Sequence, residues 1–191
     1  LSSAASDVYK RQDEVGAERS PSISPNGKMI AYSFEERRPL AYTPNQVAIM
    51  DINGNNKRII SKDLDGDADN LQWSDDNRSI FFSYDQRGIR KIGQLMLNGE
   101  IKNITNGLGG TTLGRPYLSG SYHHSAQNIA FTYGGGNRPA DVAVLMNGKV
   151  NVLTELNNDL LDQLKLGDIN ELVYNSSFDD QEIQGLSLIH I

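Results

Sequence analysis

The chain has 191 residues and carries 18 Lys and Arg side chains against 24 Asp and Glu, a net charge of −6 at pH 7. This acidic balance argues against nucleic acid as a partner, because binding to phosphates needs clustered basic side chains. No apolar run reaches the roughly 20 residues of a membrane-spanning helix. The absence of cysteine excludes disulfides, thiolate zinc sites and a cysteine nucleophile. It leaves both the periplasm and the cytoplasm open as the compartment.

The two ends of the chain lack the patterning of the rest. Residues 1–12 contain neither an initiator Met nor the apolar stretch of a secretory signal, and residues 187–191 follow the last patterned segment. Both strings resemble translated sequencing adapters. We therefore expect residues 1–12 and 187–191 to be artefacts, and the remaining chain to be a fragment.

A repeated segment is the main signal of the sequence. Residues 24–32 align with residues 74–82 and 125–131, and the serines that open the three copies lie 50 and 51 residues apart. Each copy begins with a polar turn and continues into an apolar, aromatic run. A repeat of this length is typical of the blades of a β-propeller.

Two further strand-like runs follow each copy. The first of these runs covers residues 47–52, 92–97 and 142–146, and the second covers residues 57–61, 101–105 and 150–154. An Asn-Gly pair lies between them each time, at Asn53-Gly54, Asn98-Gly99 and Asn147-Gly148. Because Asn and Gly tolerate the positive φ angles of a type I′ turn, this pair predicts three hairpins.

One more short segment precedes the second copy, over residues 69–74, and includes Leu71 and Trp73. Each unit thus predicts four antiparallel strands in about 45–50 residues. We expect an all-β fold, a partial β-propeller of about three four-stranded antiparallel blades over residues 13–156. Propellers usually close with four or more blades. Three would leave two blade faces uncovered, and we expect the chain alone to be marginally stable.

Residues 157–186 depart from the repeat. Asn157 opens a polar stretch that can cap a short helix, leucines then recur at helical spacing, and Gly167 would end the helix. An extended run at residues 171–175 and a turn into another strand over residues 178–185 follow. This pattern predicts a short helix and a strand in a junction that leads towards another domain.

The repeats and the junction resemble a known family. The repeat containing Ser24-Pro25-Asn26-Gly27-Lys28 resembles the β-propeller repeats of the prolyl oligopeptidase superfamily and of TolB-type proteins. The stretch from Ser177 to Gly185 is similar to Ser-x-Asp-Gly-x-x-Ile-x-Gly-Trp. That pattern precedes the catalytic domain in acylaminoacyl-peptidase-like and dipeptidyl-peptidase-like serine peptidases. The chain departs from it at Asp180, where Gly is usual, and at Leu186, where Trp is usual.

The resemblance implies a serine peptidase in which a propeller gates the access of peptide substrates to an α/β-hydrolase domain. The chain would be its non-catalytic propeller, partnered by the peptide substrate and by a missing hydrolase domain. Two alternatives remain: a TolB-like periplasmic propeller that acts as a protein-binding scaffold, and the propeller of an amidohydrolase. A Gly-x-Ser-x-Gly further on would favour the peptidase, an early stop codon the scaffold, and a metal-binding His motif the amidohydrolase.

The sequence nominates no catalytic, cofactor-binding or metal-binding residue, and we expect no cofactor. No Gly-x-Ser-x-Gly elbow occurs in the chain. Ser119 and Ser121 lie close to His123 and His124 in sequence, but they lack the spacing of that elbow. Adjacent histidines in a strand point to opposite faces, which is a poor geometry for zinc.

The segment from Asp63 to Asp69 alternates carboxylates, as calcium-binding loops do. An EF-hand that begins at Asp63 would need Gly at position 68 and Glu at position 74, where Ala68 and Ser74 stand. We therefore favour a solvated loop between blades, and calcium remains the alternative.

Three other groups have ordinary structural interpretations. We expect a solvated loop at Glu35-Glu36-Arg37-Arg38 and a flexible blade loop at Gly134-Gly135-Gly136. No helix begins after these glycines, as a phosphate-binding loop would require. The aromatic side chains of the repeated strands are expected to pack between blades rather than to form a ligand cage; they are Tyr32, Trp73, Phe81, Phe82 and Tyr84.

Overall fold

The computed structural model describes residues 16–36, 42–110, 119–136 and 138–189. Residues 1–12, Arg37, Arg38 and His190 lie outside these ranges. The described residues form three four-stranded antiparallel sheets, then one helical turn and a two-stranded hairpin. The prediction of an all-β partial propeller with three blades is thereby confirmed. In the described part of the chain, no helix is long and apolar enough to cross a membrane.

Each blade consists of four consecutive strands in the order of the sequence. Blade 1 comprises β1 (Gly16–Ile23), β2 (Met29–Glu36), β3 (Gln46–Asp51) and β4 (Arg58–Ile59). Blade 2 comprises β5 (Ala68–Trp73), β6 (Ser79–Gln86), β7 (Ile89–Met96) and β8 (Ile101–Asn106). Blade 3 comprises β9 (Tyr122–Ser125), β10 (Asn128–Gly135), β11 (Arg138–Met146) and β12 (Lys149–Val152).

The antiparallel order gives the blades two distinct ends. The β1–β2, β5–β6 and β9–β10 turns lie at one end, which we call the back end. The β6–β7 and β10–β11 turns lie at the other, the front end, together with the connections between blades. The first strands of blades 1 and 2 contact each other, as expected for strands that line the central channel of a propeller.

The repeated serine closes the back-end turns of blades 1 and 2. Ser74 Oγ donates a hydrogen bond to Asp76 at 2.6 Å and accepts one from the backbone N–H of Ser79 at 3.0 Å. Asn77 takes the left-handed conformation, with φ of +60°. Ser24 makes the same bonds with Asn26 and Met29. The Ser-x-x-Asn/Gly spacing therefore recurs because the serine side chain accepts a hydrogen bond from a backbone N–H in each turn.

The Asn-Gly turns differ from the prediction in two of the three blades. Asn147 and Gly148 have φ angles of +50° and +74° and form the expected two-residue type I′ turn. In the Asn-Gly pairs of blades 1 and 2 only the glycine, Gly54 or Gly99, has positive φ. There the N–H of Gly54 bonds to the carbonyl of Asp51, and the loop contains one more residue. Asn-Gly thus predicts the hairpins, whereas the type of turn depends on the loop length.

Apolar side chains fill the spaces between the blades. One buried cluster joins blades 1 and 2 and includes Val47, Ile49, Trp73, Ile80 and Phe82. A second cluster joins blades 2 and 3 and includes Phe81, Ile92, Tyr122, Ile129 and Phe131. Because strand residues alternate between faces, the consecutive Phe81 and Phe82 serve different interfaces.

Polar contacts between strands set the register of neighbouring blades. Trp73 Nε1 donates to the carbonyl of Ser22 at 2.9 Å. Gln72 Nε2 donates to the carbonyl of Tyr122 at 2.9 Å, and the same amide accepts from the backbone N–H of His124. These bonds fix the blades axially, which apolar packing alone does not do.

The outer faces of blades 1 and 3, the first and last of the array, differ in the exposure of their apolar side chains. On the outer face of blade 3, Val142 and Met146 are 44% and 42% exposed. On blade 1, Tyr32 and Phe34 are buried in a third apolar cluster with Ala48. The two outer faces thus differ in the exposure of their apolar side chains.

The helix after blade 3 is shorter than its leucine spacing suggested. It is a single turn, α1 (Asn158–Leu161), and Asn157 makes no side-chain capping bond. Leu160 and Leu164 are both exposed. A helix without a packed apolar face gains little stability, which accounts for the difference.

Candidate functional site at the front end of the blades

The aromatic side chains that could have formed a ligand cage lie in the packed interfaces. Trp73, Phe82 and Tyr84 belong to the cluster between blades 1 and 2, and Phe81 to the next cluster. All of them are less than a tenth exposed. The prediction that the aromatic side chains pack between blades is confirmed for these four, whereas Tyr32 packs against Phe34 and Ala48 within blade 1.

The histidines and neighbouring serines do not form a catalytic arrangement. His124 stacks on Phe81 with ring centroids 4.2 Å apart, and its Nε2 lies 2.7 Å from the carbonyl oxygen of Ala126. His123 is exposed and lies on the opposite face of β9. The backbone N–H of Ser121 bonds to Thr132 Oγ1. His124 and Ser121 thus make structural contacts.

The acidic stretch lies in the front-end connection between blades 1 and 2. Asp67 Oδ1 accepts the backbone N–H of Asn45 at 2.7 Å. Burial raises the pKa of Tyr42 to about 12, and its hydrogen bond to Asp67 and the nearby carboxylates add to this. Its hydroxyl therefore stays protonated and donates. Among the described residues, no three acidic or histidine side chains converge as a metal site; calcium binding stays an untested alternative.

Two other sequence motifs have defined positions. Glu35 forms an ion pair with Arg19 at 3.2 Å, while Arg37 and Arg38 lie outside the described residues. The glycine run is not a flexible loop, because Gly134 and Gly135 belong to β10. A Cβ at Gly134 would lie 3.1 Å from the backbone of Ala140. Close approach of the chain therefore explains this glycine.

A buried arginine organises the front end of blade 2. Arg90 at the start of β7 is 8% exposed, and its guanidinium lies between two carboxylates. Nη1 is 2.9 Å from Asp85, and Nη2 is 3.1 Å from both Asp69 and Ser83 Oγ. Three strands are thereby tied together by charge-assisted hydrogen bonds.

Sequence reasoning missed Arg90 as a functional or structural centre. Burial raises the pKa of Asp85, Arg90 opposes this effect, and the charges of Asp69 and Asp67 add to it. The 50-residue period contained a signal, because Asp69 and Asp85 stand where blade 1 has Arg19 and Glu35, which pair with each other; the two carboxylates of blade 2 are joined through Arg90 instead. A charged pair in matching positions of two repeats predicts a contact.

A second polar centre holds the exit from blade 3. Asp141 in β11 is fully buried and accepts hydrogen bonds from the backbone N–H of Leu156 at 2.9 Å and from Thr154 Oγ1 at 3.1 Å. Arg138 Nε pairs with it at 3.1 Å and also bonds to Asn158. One carboxylate thus positions the segment that leads from β12 to α1.

Acid should weaken the fold through such carboxylates. The pKa of Asp141 lies below its ordinary value, first because of the bond from Leu156, then because of Thr154 and Arg138, against the opposing effect of burial. A lowered pKa stabilises the fold above the unfolded value of about 4, and this contribution is lost as the pH falls through the folded value. Asp85, with a raised pKa, acts in the opposite direction. We expect the urea midpoints of the wild type and Asp141→Asn to differ at pH 7 and to converge towards pH 3.

The last hairpin lies across the front end of blades 2 and 3. It consists of β13 (Asp168–Asn175) and β14 (Glu182–Ile189). Arg87 in the β6–β7 turn pairs with Glu171 and Glu182. Leu186 fills the space beside Gly88, and Ile169 that beside Gly136. The hairpin therefore contacts the turns of two blades at their front end.

The fold agrees with those of several solved structures. An acylaminoacyl peptidase from Pyrococcus horikoshii matches 84% of this chain with 23% of its own length, at 16% identity and a TM-score of 0.62. TolB from Acinetobacter baumannii matches 91% of this chain with 41% of its own, at 22% identity and a TM-score of 0.53. The AtxE2 isopeptidase matches 94% with 26% of its own, at 10% identity and a TM-score of 0.59.

No protein-family model and no curated protein matches the sequence. The chain spans less than half of the length of the solved structures named above. Since all identities are below 25%, what is shared is the arrangement of strands. The chain therefore has the fold of the β-propellers of such peptidases and of TolB, in the form of three consecutive blades followed by a hairpin at their front end.

Proposed function

We propose that this chain is the non-catalytic propeller part of a serine peptidase, where it limits the access of peptides to an α/β-hydrolase domain. The observation that carries the proposal is the position of the β13–β14 hairpin, which lies over the front end rather than on the open face of blade 3. A chain that leaves the array across one end is suited to lead into a domain that covers that end.

The backbone of the hairpin differs from that of the first strands of blades 1 and 2. In β1 and β5 the pairing shifts after Arg19 and Asp69, and Ser20 and Asn70 take φ angles of +51° and +53°. Such bulges bend the first strand of a blade. Leaving aside residues 187–189, which the sequence marks as a foreign tail, β13 pairs with β14 over the five consecutive residues from Glu171 to Asn175 without a shift. The first strand of blade 3, β9, also pairs without a shift, so the hairpin differs in this respect from blades 1 and 2 alone.

The outward face of the hairpin supports the same interpretation. Leu172 and Tyr174 point away from the side that bears Glu171, and both are half exposed. Ile183 of β14 joins them on that face. Strands with apolar side chains on both faces are typical of sheets covered on both sides, as in α/β domains.

Gating follows from the geometry of a propeller. The connecting loops surround the end of the channel, and loops can carry binding or excluding groups without changing the strands. Here the front end carries Tyr42, the acidic connection and the β6–β7 turn. A domain placed over these loops would receive only those peptides that pass them.

The proposal is tested with the uninterrupted gene product. We expect it to cleave short peptides, and to cleave a folded protein containing the same sequence at least about tenfold more slowly, a difference of ~1.4 kcal/mol in the activation free energy. The 191-residue chain should cleave neither, because it contains no nucleophile elbow. Equal rates on both substrates would refute gating, and no cleavage of either would refute the peptidase.

A protein-binding scaffold of the TolB kind is the second candidate, and one observation favours it. The β13–β14 loop repeats the length of the back-end turns, because Ser176 N bonds to the carbonyl of Gln181 as Ser74 N does to that of Ser79. The hairpin could then begin a fourth blade. A reading frame that continues with another Ser-x-Asn/Asp-Gly repeat would support this candidate.

A further inference from the structure

We propose that the β6–β7 turn of blade 2 is a salt-sensitive clasp that holds the β13–β14 hairpin over the front end. Arg87 is its centre: Nη1 lies 3.5 Å from Glu171 Oε1, and Nη2 lies 3.6 Å from Glu182 Oε1. One cation thus bridges both strands of the hairpin. The clasp rests on these contacts alone, while its effect on substrate access rests on the proposed function.

The two glutamates lie on one face of the hairpin. Glu171 pairs with Leu186 and Asn175 with Glu182, so their side chains lie on the same side of the two strands. Gln184 Nε2 donates to Glu171 Oε1 at 3.0 Å on that side. The Glu171 carboxylate is therefore held in place before it meets the guanidinium.

The turn places an arginine where smaller residues are normally found. Arg87 and Gly88 have φ angles of +53° and +69°, and they connect the paired residues Gln86 and Ile89. A two-residue turn of this type favours Asn or Gly at its first position, and a bulky side chain with positive φ is strained. The chain carries this strain at the one residue that contacts both glutamates.

Two glycines complete the seat for the hairpin. A Cβ at Gly88 would lie 2.8 Å from Leu186 Cδ1, and a Cβ at Gly136 would overlap Ile169 Cδ1. The turns of blades 2 and 3 therefore leave room for one apolar side chain from each hairpin strand. The apolar contacts define the position of the hairpin, and the positive charge of Arg87 attracts its two glutamates.

The ion pairs between Arg87 and the two glutamates are weak. The Arg87 side chain is 60% exposed, and each glutamate partner is at least 40% exposed. Exposed ion pairs contribute little and are screened by salt, since the Debye length falls from about 10 Å at 0.1 M to about 3 Å at 1 M. The hairpin should therefore be held more weakly, and move more, as the ionic strength rises.

The test uses spin labels in the full chain. The chain contains no cysteine, so Lys102→Cys in β8 and Phe178→Cys at the hairpin tip provide two defined positions, both exposed. We expect one narrow distance distribution at low salt. Arg87→Glu, or 1 M NaCl, should shift it to longer distances and broaden it. The control Arg78→Glu makes the same charge change at the back end and should leave the distribution unchanged.

A charge swap separates the clasp from local damage. The triple variant Arg87→Glu, Glu171→Arg, Glu182→Arg should restore the narrow distribution. An unchanged distribution in Arg87→Glu would overturn the clasp, and so would a broadened one that the swap does not restore. Arg87→Gln, which removes the charge and leaves a shorter polar side chain, should also broaden the distribution. None of these measurements needs turnover, so failure of the clasp is distinct from failure of the proposed function.

Discussion

Replacement of Phe82 by alanine is expected to lower the free energy of unfolding by about 4 kcal/mol, in the range for truncation of a large buried aromatic side chain. Phe82 is 0% exposed in the interface between blades 1 and 2 and stacks on Tyr84 with centroids 5.1 Å apart. A Cβ at Gly93 would lie 2.8 Å from its ring, so the strand closes tightly over it. The cavity would remain because two hydrogen-bonded sheets cannot collapse into it.

The loss can be measured by urea unfolding followed through the fluorescence of Trp73, the single tryptophan, which lies in the same cluster. Phe178→Ala is the matched control, because Phe178 is 95% exposed. Its effect should stay within about 0.5 kcal/mol. Similar values for the two variants would contradict the packing of the blades described above.

Replacement of Asp141 by alanine is expected to cost about 3 kcal/mol. The substitution removes a buried carboxylate that accepts bonds from Leu156, Thr154 and Arg138. It leaves the N–H of Leu156 without its acceptor and Arg138 without its buried partner. Breaking such a buried pair on one side is costlier than losing an exposed one.

Two measurements locate this effect. Urea unfolding gives the free energy, and hydrogen exchange of the Leu156 amide reports whether the exit segment is released. Asp75→Ala, at an exposed position in a back-end turn, should change neither. If Asp141→Ala left the exchange of Leu156 unaltered, Asp141 would not anchor the exit from blade 3.

Local patterns were sufficient for the blades and their turns. The serines at positions 24 and 74 recur because the hydroxyl of each closes a turn by accepting a hydrogen bond from the backbone N–H five residues later. The three hairpins at Asn-Gly were predicted for a similar reason, since the need for positive φ is a property of a few consecutive residues. The turn type was wrong in two blades because loop length, set by strand pairing, selects it.

Local patterns failed where packing decides. The leucine spacing after Asn157 predicted a helix reaching towards Gly167, and the structure has one turn without a buried residue. The glycine run at 134–136 suggested a loop, and its first two residues lie in β10 against Ala140. In each case the outcome depends on what the segment contacts, which its own composition does not record.

At the front end, too, the sequence indicated the local feature and missed the contact between distant residues. Asp63 to Asp69 attracted notice as an acidic stretch, whereas the buried centre of that region, Arg90, stands between Arg87 and Lys91 in a segment without a motif. It unites Asp69 and Asp85, which lie 21 and 5 residues away. Comparison of matching positions in blades 1 and 2 would have indicated the pair, but not the arginine between them.

Taken alone, the amino-acid order determined the three blades, their strands and the back-end turns. Those features follow from side-chain alternation and from turns a few residues long, which recur with a period of about 50 residues. Only the tertiary structure decided that the final hairpin crosses the front end and that Arg87 forms ion pairs with both strands of this hairpin. The same holds for Asp141, which binds the segment after blade 3. These contacts join residues far apart in the chain, and their energy exists only once the blades have packed.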